Sequence, residues 1–242
     1  MESVLNSSDG YKNHHDQENT SEWVYFMDRL VHDLREPLRS INVFAELLIE
    51  AEKDRLNEQS KQFVDEIQSG AARMQTLLSG LSGYSMALHE ASAAPANCSL
   101  QSALKIVLAN MDEKIRLAGA SVTPGDLPRV SLSLDRAMQI LQHLIENSLR
   151  FRSDAPPVIH ISAEEEDGGM CAIHVEDNGI GVPDDYLEVV FKPFTRVEGK
   201  KYPGAGMGLA ICRRIVEAHG GAIRMTRAAT GGSICTFTLP EA

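Results

Sequence analysis

The chain has no apolar run approaching the length of a bilayer span, and no signal-peptide core follows Met1. No membrane-crossing segment and no export are therefore expected. Cysteine is scarce. Cys98, Cys171, Cys212 and Cys235 stand far apart, with no C-x-x-C pair. Such spacing suits reduced cytoplasmic thiols better than a disulfide or zinc framework. Positive charge is also short, with 23 Lys and Arg against 34 Asp and Glu. The net charge of −11 argues against a nucleic-acid or anionic-membrane surface. No solenoid-type repeat is visible. What is there is globular: 43% apolar and 24% charged over 242 residues, enough for one or two domains with their own cores.

Residues 1–20 are polar, with paired His14 and His15, and are expected to form a flexible lead-in. Ser21 is a plausible N-cap for a first long helix running to about Lys53. Apolar residues fall at Val24, Met27, Val31, Leu34, Leu38, Ile41, Ala45 and Leu48, alternating steps of three and four. This is a heptad seam. After the polar connection 54–59, a second helix carries Phe63, Ile67, Gly70, Met74, Leu77, Leu81, Tyr84 and Leu88 at the same spacings. A hairpin of two such helices cannot bury both seams alone, but a homodimeric four-helix bundle can. Segment 21–92 is thus expected to dimerise. Ala91–Ala96, small residues with one proline, reads as a linker.

Beyond it, in 93–242, helices and strand pairs alternate. Leu100–Leu117 reads as a helix and Val130–Leu134 as a short strand. A helix capped by Asp135 runs to about Phe151. Two strands, 158–163 and 170–175, are joined by Asp167-Gly168-Gly169. Gly206–His219 reads as a helix, and 222–226 with 233–239 as a last strand pair. The expected class is α+β: a mixed sheet with one helical face after a helical hairpin.

The first helix holds the string Leu30-Val31-His32-Asp33-Leu34-Arg35-Glu36-Pro37-Leu38. With Val31 in the seam, His32 lies outside it, in water. A neutral imidazole can attack through one ring nitrogen while a neighbouring carboxylate orients the N–H at the other. Pro37 removes one helical hydrogen bond nearby. Three later motifs carry chemistry. Asn147 offers an amide oxygen, the donor type Mg²⁺ prefers, and Arg150 lies three residues on, within reach of a phosphate. Asp177-Asn178-Gly179-Ile180-Gly181 follows a strand, and Asp177 can accept a hydrogen bond from an amine such as that of adenine. Gly204-Ala205-Gly206-Met207-Gly208-Leu209 opens a helix, as phosphate cradles do.

The histidine string resembles the phosphoacceptor box of sensor histidine kinases, most closely its phytochrome-type variant. The order of the three later motifs resembles the N, G1 and G2 boxes of the nucleotide-binding domain shared by histidine kinases, gyrase, Hsp90 and MutL. Val190-Phe191-Lys192-Pro193-Phe194 resembles the kinases' F box, with a short lid from Phe194 to Gly204. The resemblance covers about residues 22–242. It implies a GHKL-type α/β sandwich after the hairpin, and ATP with Mg²⁺ as cofactors. It further implies that His32 accepts the γ-phosphoryl group, Asp33 assists as base, Asn147 holds Mg²⁺ and Asp177 reads adenine. Gly179, Gly181, Gly204, Gly206, Gly208 and Leu209 would shape the pocket and lid. Phe191 would pack the lid base, while Lys192 or Arg196 would face phosphates or simply be solvated.

The implied partners are a second copy of the chain, a response-regulator receiver domain and an upstream sensor domain or partner protein. The implied place is the cytoplasm. Two departures stand out. His143 lies four residues before Asn147, where many of these kinases have Asn and gyrase-like ATPases a water-activating Glu. It would touch Mg²⁺-bound water or phosphate, or be a satisfied helix histidine. Glu36 lies four residues after His32, where bifunctional members often carry Thr or Asn, and is expected to pair with Arg39 or Arg35. A GHKL ATPase, an anti-sigma-type serine kinase and a nucleotide-binding scaffold stay open as alternatives.

Overall fold

The computed structural model describes residues 8–52, 55–89, 96–197, 202, 204–229 and 231–242, with side chains from Val24 onward, His89 excepted. The chain divides into two compact units, Met1–His89 and Glu90–Ala242. Residues 91–95 of the expected linker lie outside the described residues.

The first unit is a hairpin of α1 (Ser8–Ala51) and α2 (Glu58–His89). Against the lead-in expected for 1–20, the helix runs from Ser8, and residues 1–7 lie outside the described residues. Helix nucleation is the costly step, and extension through a proline-free polar stretch from a formed helix costs little. Asn57 caps α2, its side-chain oxygen accepting the Ser60 N–H at 2.8 Å.

Only half of the α1 seam faces α2. Val24, Val31, Leu38 and Ala45, seven apart, are buried, while Leu34, Ile41 and Leu48 of the alternate row remain 44–46% exposed. In α2 the inward residues are Val64, Ala71, Ser85 and Ala87. Four of the residues expected in its seam, Phe63, Ile67, Met74 and Leu77, are exposed in the single chain, which a hairpin alone was not expected to cover. Small residues let the helix pair approach closely, so the bulky row turns outward. Each buried Val or Leu contributes about 1.5–3 kcal/mol. Ser85 Oγ donates to Asp28 Oδ1 at 2.8 Å, a polar tie between the helices.

The second unit is a mixed sheet with one helical face. Its elements are β1 (Asn97–Ser99), α3 (Leu100–Asn110), α4 (Asp112–Ala118), β2 (Ser121–Pro124), β3 (Arg129–Ser131), α5 (Leu134–Arg150), β4 (Val158–Glu166), β5 (Met170–Asp177), α6 (Gly208–Ala218), β6 (Ile223–Arg227) and β7 (Ser233–Pro240). Five strands run in the order β2-β4-β5-β7-β6, antiparallel except for the β2–β4 pair, and β1 pairs with β3 separately. The expected 100–117 helix breaks at Met111, which is 2% exposed and so is drawn into the core. Ser133, not Asp135, caps α5, its Oγ accepting the Arg136 N–H at 3.4 Å. Leaving the strand to cap the helix is what ends β3 at Ser131. β1 and β2 were not expected from periodicity, because three or four residues carry almost none.

α5 and α6 lie on the sheet and α3 packs on α5. The strands turn Ile159, Ile161, Cys171, Ile173, Val175, Cys235, Phe237 and Leu239 toward them, all at most 5% exposed. Cys171, Ile173 and Val175 alternate along β5, and the next residue of that row is Asp177. A carboxylate thus stands at the end of an apolar row, in register opposite Ile159.

Candidate active site

In α1 the His32 ring is exposed, and its Nδ1 lies 3.0 Å from Asp33 Oδ1. The second Asp33 oxygen accepts from Arg29 Nε at 3.2 Å. The His32 bond, then Arg29, holds the Asp33 carboxyl below the usual carboxylate range. An ionised carboxylate only accepts, so Nδ1 must carry the proton and Nε2 presents a lone pair to solvent. That is the tautomer a nucleophilic imidazole needs. Pro37 lies within α1 without ending it. Glu36 makes no ion pair with Arg35 or Arg39 among the described residues, contrary to expectation.

In the second unit the half-buried Asp177 carboxylate is held by three donors. Oδ1 accepts the N–H of Gly179 at 2.9 Å and of Ser233 at 3.3 Å. Oδ2 lies 3.4 Å from Ser148 Oγ. The same hydroxyl lies 3.2 Å from Leu144 O. One hydroxyl proton cannot serve both well, so Oδ2 is the oxygen with spare capacity for an amine donor. Burial pushes the Asp177 carboxyl up, against the pull of these donors.

The loop after Asp177 is stapled in place. Asn178 donates to Pro156 O and accepts from the Val158 N–H, and Ile180 N–H donates to Phe151 O. Gly179 sits so near Phe151 O that a Cβ would stand 2.4 Å from it, so only glycine fits. Gly181 has a positive φ and backs onto Gly232.

Asn147 is half-buried on α5, and its amide has no partner among the described residues. A free amide oxygen is the kind of donor a hard cation takes. Among the described residues no three His, Cys, Asp or Glu converge into a metal cage. Arg150, in the last turn of α5, lies against Gly204. The ring of its neighbour Phe151 meets Tyr202 edge-on at 5.0 Å. Gly204 and Gly206 have positive φ, and Gly208 begins α6 with half-buried Leu209 next. Phe191 is 3% exposed in a turn packed on α6. Lys192 is exposed. Arg196 donates to the Tyr202 carbonyl and so is engaged within the lid segment.

Ser148, Gly232 and Ser233 were missed in the sequence. Gly232 has φ +90°, and a Cβ there would lie 2.0 Å from Asp177 O. The one signal was Gly231-Gly232-Ser233 at the entry to a strand. His143 is not a satisfied helix histidine, because its Nε2 is buried without a partner.

Two family models match in tandem. His Kinase A (phospho-acceptor) domain covers residues 23–90, and Histidine kinase-, DNA gyrase B-, and HSP90-like ATPase covers 133–242. Cyanobacterial phytochrome A of Nostoc sp. is 36% identical over 211 residues, taking in 86% of this chain and 27% of that protein. Phytochrome-like protein Cph1 of Synechocystis sp. is 34% identical over 211 residues, 86% of this chain and 28% of that protein. The chain therefore spans little more than a quarter of these relatives. The solved structure of full-length ShkA in complex with AMPPNP superposes with a TM-score of 0.68 at 25% identity, over 90% of this chain and 46% of that one. A phospho-acceptor hairpin followed by an ATPase-type sandwich, in that order and with these relatives, places the chain in the sensor histidine kinase family, as a transmitter module.

Proposed function

We propose that the chain is an ATP-dependent protein-histidine autokinase that phosphorylates His32 and passes the phosphoryl group to a response-regulator aspartate. The observation that carries this reading is the His32–Asp33–Arg29 array, which supports an exposed imidazole with Nδ1 engaged and Nε2 free to attack. The same chain holds the adenine-type acceptor Asp177. In the transfer, Nε2 forms a bond to the γ-phosphorus as the bond to the β-phosphate oxygen breaks, and ADP leaves. The ring becomes acidic as it is phosphorylated, and Asp33 then draws off the Nδ1 proton. The chemistry rests on positioning and charge.

Asp177 Oδ2 would accept the adenine amine, and Arg150 with the N–H groups opening α6 would face the phosphates. Asn147 would hold Mg²⁺. When bound, the ion neutralises phosphate charge. Gly204, Gly206 and Gly208 let the lid backbone pass close to these groups.

The exposed row Leu34, Ile41 and Leu48, with Phe63, Ile67 and Met74, gives a second copy of the hairpin its face in a four-helix bundle. ThkA, a solved histidine kinase complexed with response regulator protein TrrA, shares this fold with a TM-score of 0.64. A receiver domain is the partner proposed for the phosphohistidine, and an upstream sensor domain or protein for the signal. The cytoplasm is the proposed place of action; among the described residues no helix is long and apolar enough to cross a membrane.

The test is incubation with γ-labelled ATP and Mg²⁺. Label that is acid-labile and base-stable on the wild type, and missing from His32→Gln with ATP affinity kept, supports the autokinase. Free phosphate without protein label refutes it.

A further inference from the structure

Arg29 lies outside the string that carries the resemblance, one turn of α1 before Asp33. Adjacent residues of a helix stand about 100° apart and do not face each other. The 3.0 Å approach of His32 Nδ1 to Asp33 Oδ1 therefore needs a particular turn of both side chains. The last torsion of an aspartate is broad, so an exposed carboxylate does not keep one plane unaided. Asp33 has two side-chain partners among the described residues, one on each oxygen: His32 on Oδ1, and Arg29 Nε on Oδ2 at 3.2 Å. Helical side chains lean toward the N-terminus, so His32 covers the turn that Arg29 occupies. A donor four residues back draws the carboxylate toward that ring.

An ordinary surface salt bridge would look similar, but three observations go further. The pair runs basic to acidic along the helix, the order that supports a helix less. The side chains are 68% and 53% exposed, so the pair adds little to stability. Asp28, the acid next to Arg29, is taken by Ser85 of α2 at 2.8 Å, which leaves Arg29 to Asp33.

We propose that Arg29 is a positioning residue for the phosphoryl transfer. It holds Asp33 Oδ2 so that Oδ1 stays on His32 Nδ1, the proton stays on that nitrogen, and the Nε2 lone pair is left for the γ-phosphorus. The proposal rests on reading His32 as the phosphoacceptor. No bond changes at Arg29. In the transfer the Nε2–phosphorus bond forms and the bond to the β-phosphate oxygen breaks, its electron pair leaving on ADP. The Nδ1 proton passes to Asp33 Oδ1 while Oδ2 remains on Arg29. Arg29 thus acts through Asp33 and touches neither the nucleotide nor the reacting atoms.

The experiment uses the full chain as wild type, Arg29→Ala, Arg29→Lys, Asp33→Asn and the double variant Arg29→Ala with Asp33→Asn. ¹⁵N spectra of the His32 ring, recorded without nucleotide at a pH where the ring is neutral, read the tautomer. Wild type should be mainly protonated on Nδ1, and Arg29→Ala should move the balance toward Nε2–H. Arg29→Lys keeps the charge but not the planar fork, and should fall between them. Arg29→Ala should lose about two- to fivefold in maximal labelling rate at unchanged KM for ATP. That is less than Asp33→Asn loses, because Asp33 alone still visits the productive turn. In the double variant the loss due to Arg29→Ala should vanish. An unchanged tautomer balance or a wild-type labelling rate in Arg29→Ala would overturn the proposal. So would a raised KM, or an equal loss once Asp33 is already replaced, because either makes Arg29 a direct phosphate contact. A wild-type chain that takes no label overturns the phosphoacceptor reading instead, and the ¹⁵N arm, which needs no ATP, still decides the role of Arg29.

Discussion

Replacing Asp177 with Asn should separate stability from binding. In the wild type, Oδ1 takes the Gly179 and Ser233 N–H groups, while Oδ2 shares one Ser148 proton with Leu144 O. In Asp177→Asn, the amide oxygen keeps both N–H donors. The new NH₂ donates to Ser148 Oγ, and the Ser148 proton is then free for Leu144 O. Every protein group is paired except the second N–H of that NH₂, which faces the adenine position. The sign of the charge effect follows from the raised pKa. The folded state holds the Asp177 proton more tightly than the unfolded chain. Its contribution to stability is therefore present below the unfolded value and lost as pH rises through the folded one. At neutral pH the ionised group is a cost, which Asn removes. The ATP unit should melt no lower than wild type, and each kcal/mol gained raises Tm by about 2–4 °C. Binding goes the other way. The adenine amine meets a donor where it had a charged acceptor, losing about 1.5–3 kcal/mol and leaving an unpaired group at about 1–3 kcal/mol more. About 3 kcal/mol in total is more than 100-fold in Kd. Calorimetric ADP titration with parallel thermal melts reads both. Binding within threefold of wild type would refute the adenine assignment, and a Tm drop above about 4 °C would refute the hydrogen-bond accounting.

Asp33→Asn should slow His32 labelling at least about tenfold with ATP affinity unchanged, because the amide cannot draw off the Nδ1 proton; single-turnover labelling checks this. Leu34→Glu with Ile41→Glu puts charge into the exposed α1 row, and sedimentation at micromolar concentration should show monomers where wild type gives dimers. ATP affinity should begin to weaken on acidification above the usual carboxylate range, because Asp177 protonates early; titrations from pH 7 downward in wild type and in the Asn variant, which should be flat, test it. Glu36 brings an exposed, unpaired negative charge one turn from His32, so phospho-regulator decay should be little accelerated by this chain plus ADP, and a strong acceleration surviving in Glu36→Ala would sink the charge argument.

The helices, the main strands and the glycine-bearing turns were legible because long periodic segments and special-backbone residues leave marks in one sequence. Which half of a seam faces which neighbour was not. Val64 and Ala71 turn inward and Phe63 outward because of the local approach of two helices, a pairwise property that no single period encodes. Ser148 and Ser233 escaped for a similar reason. Serine on a helix or at a strand entry is common, and only β5–β7 pairing brings Ser233 beside Asp177. The state of His143 needed the packing of α6 on α5.

The two carboxylates proposed for transfer and for adenine binding are shifted in opposite directions by opposite means. Asp33 stands in water, where His32 and Arg29 hold its pKa down. It is a weak base in the resting state and a good orienter, which suits a group that must fix a tautomer first and receive a proton only after the phosphorus–nitrogen bond has begun to form. Asp177 stands at the end of an apolar row, where burial pushes its pKa up and three donors only partly offset it. A carboxylate in that state holds an unmet demand for one more hydrogen bond, and an amine-bearing ligand meets it. The first design costs the fold little because water solvates the charge. The second stores a destabilisation that binding relieves, so the nucleotide should stabilise this unit by more than its phosphate contacts alone would supply.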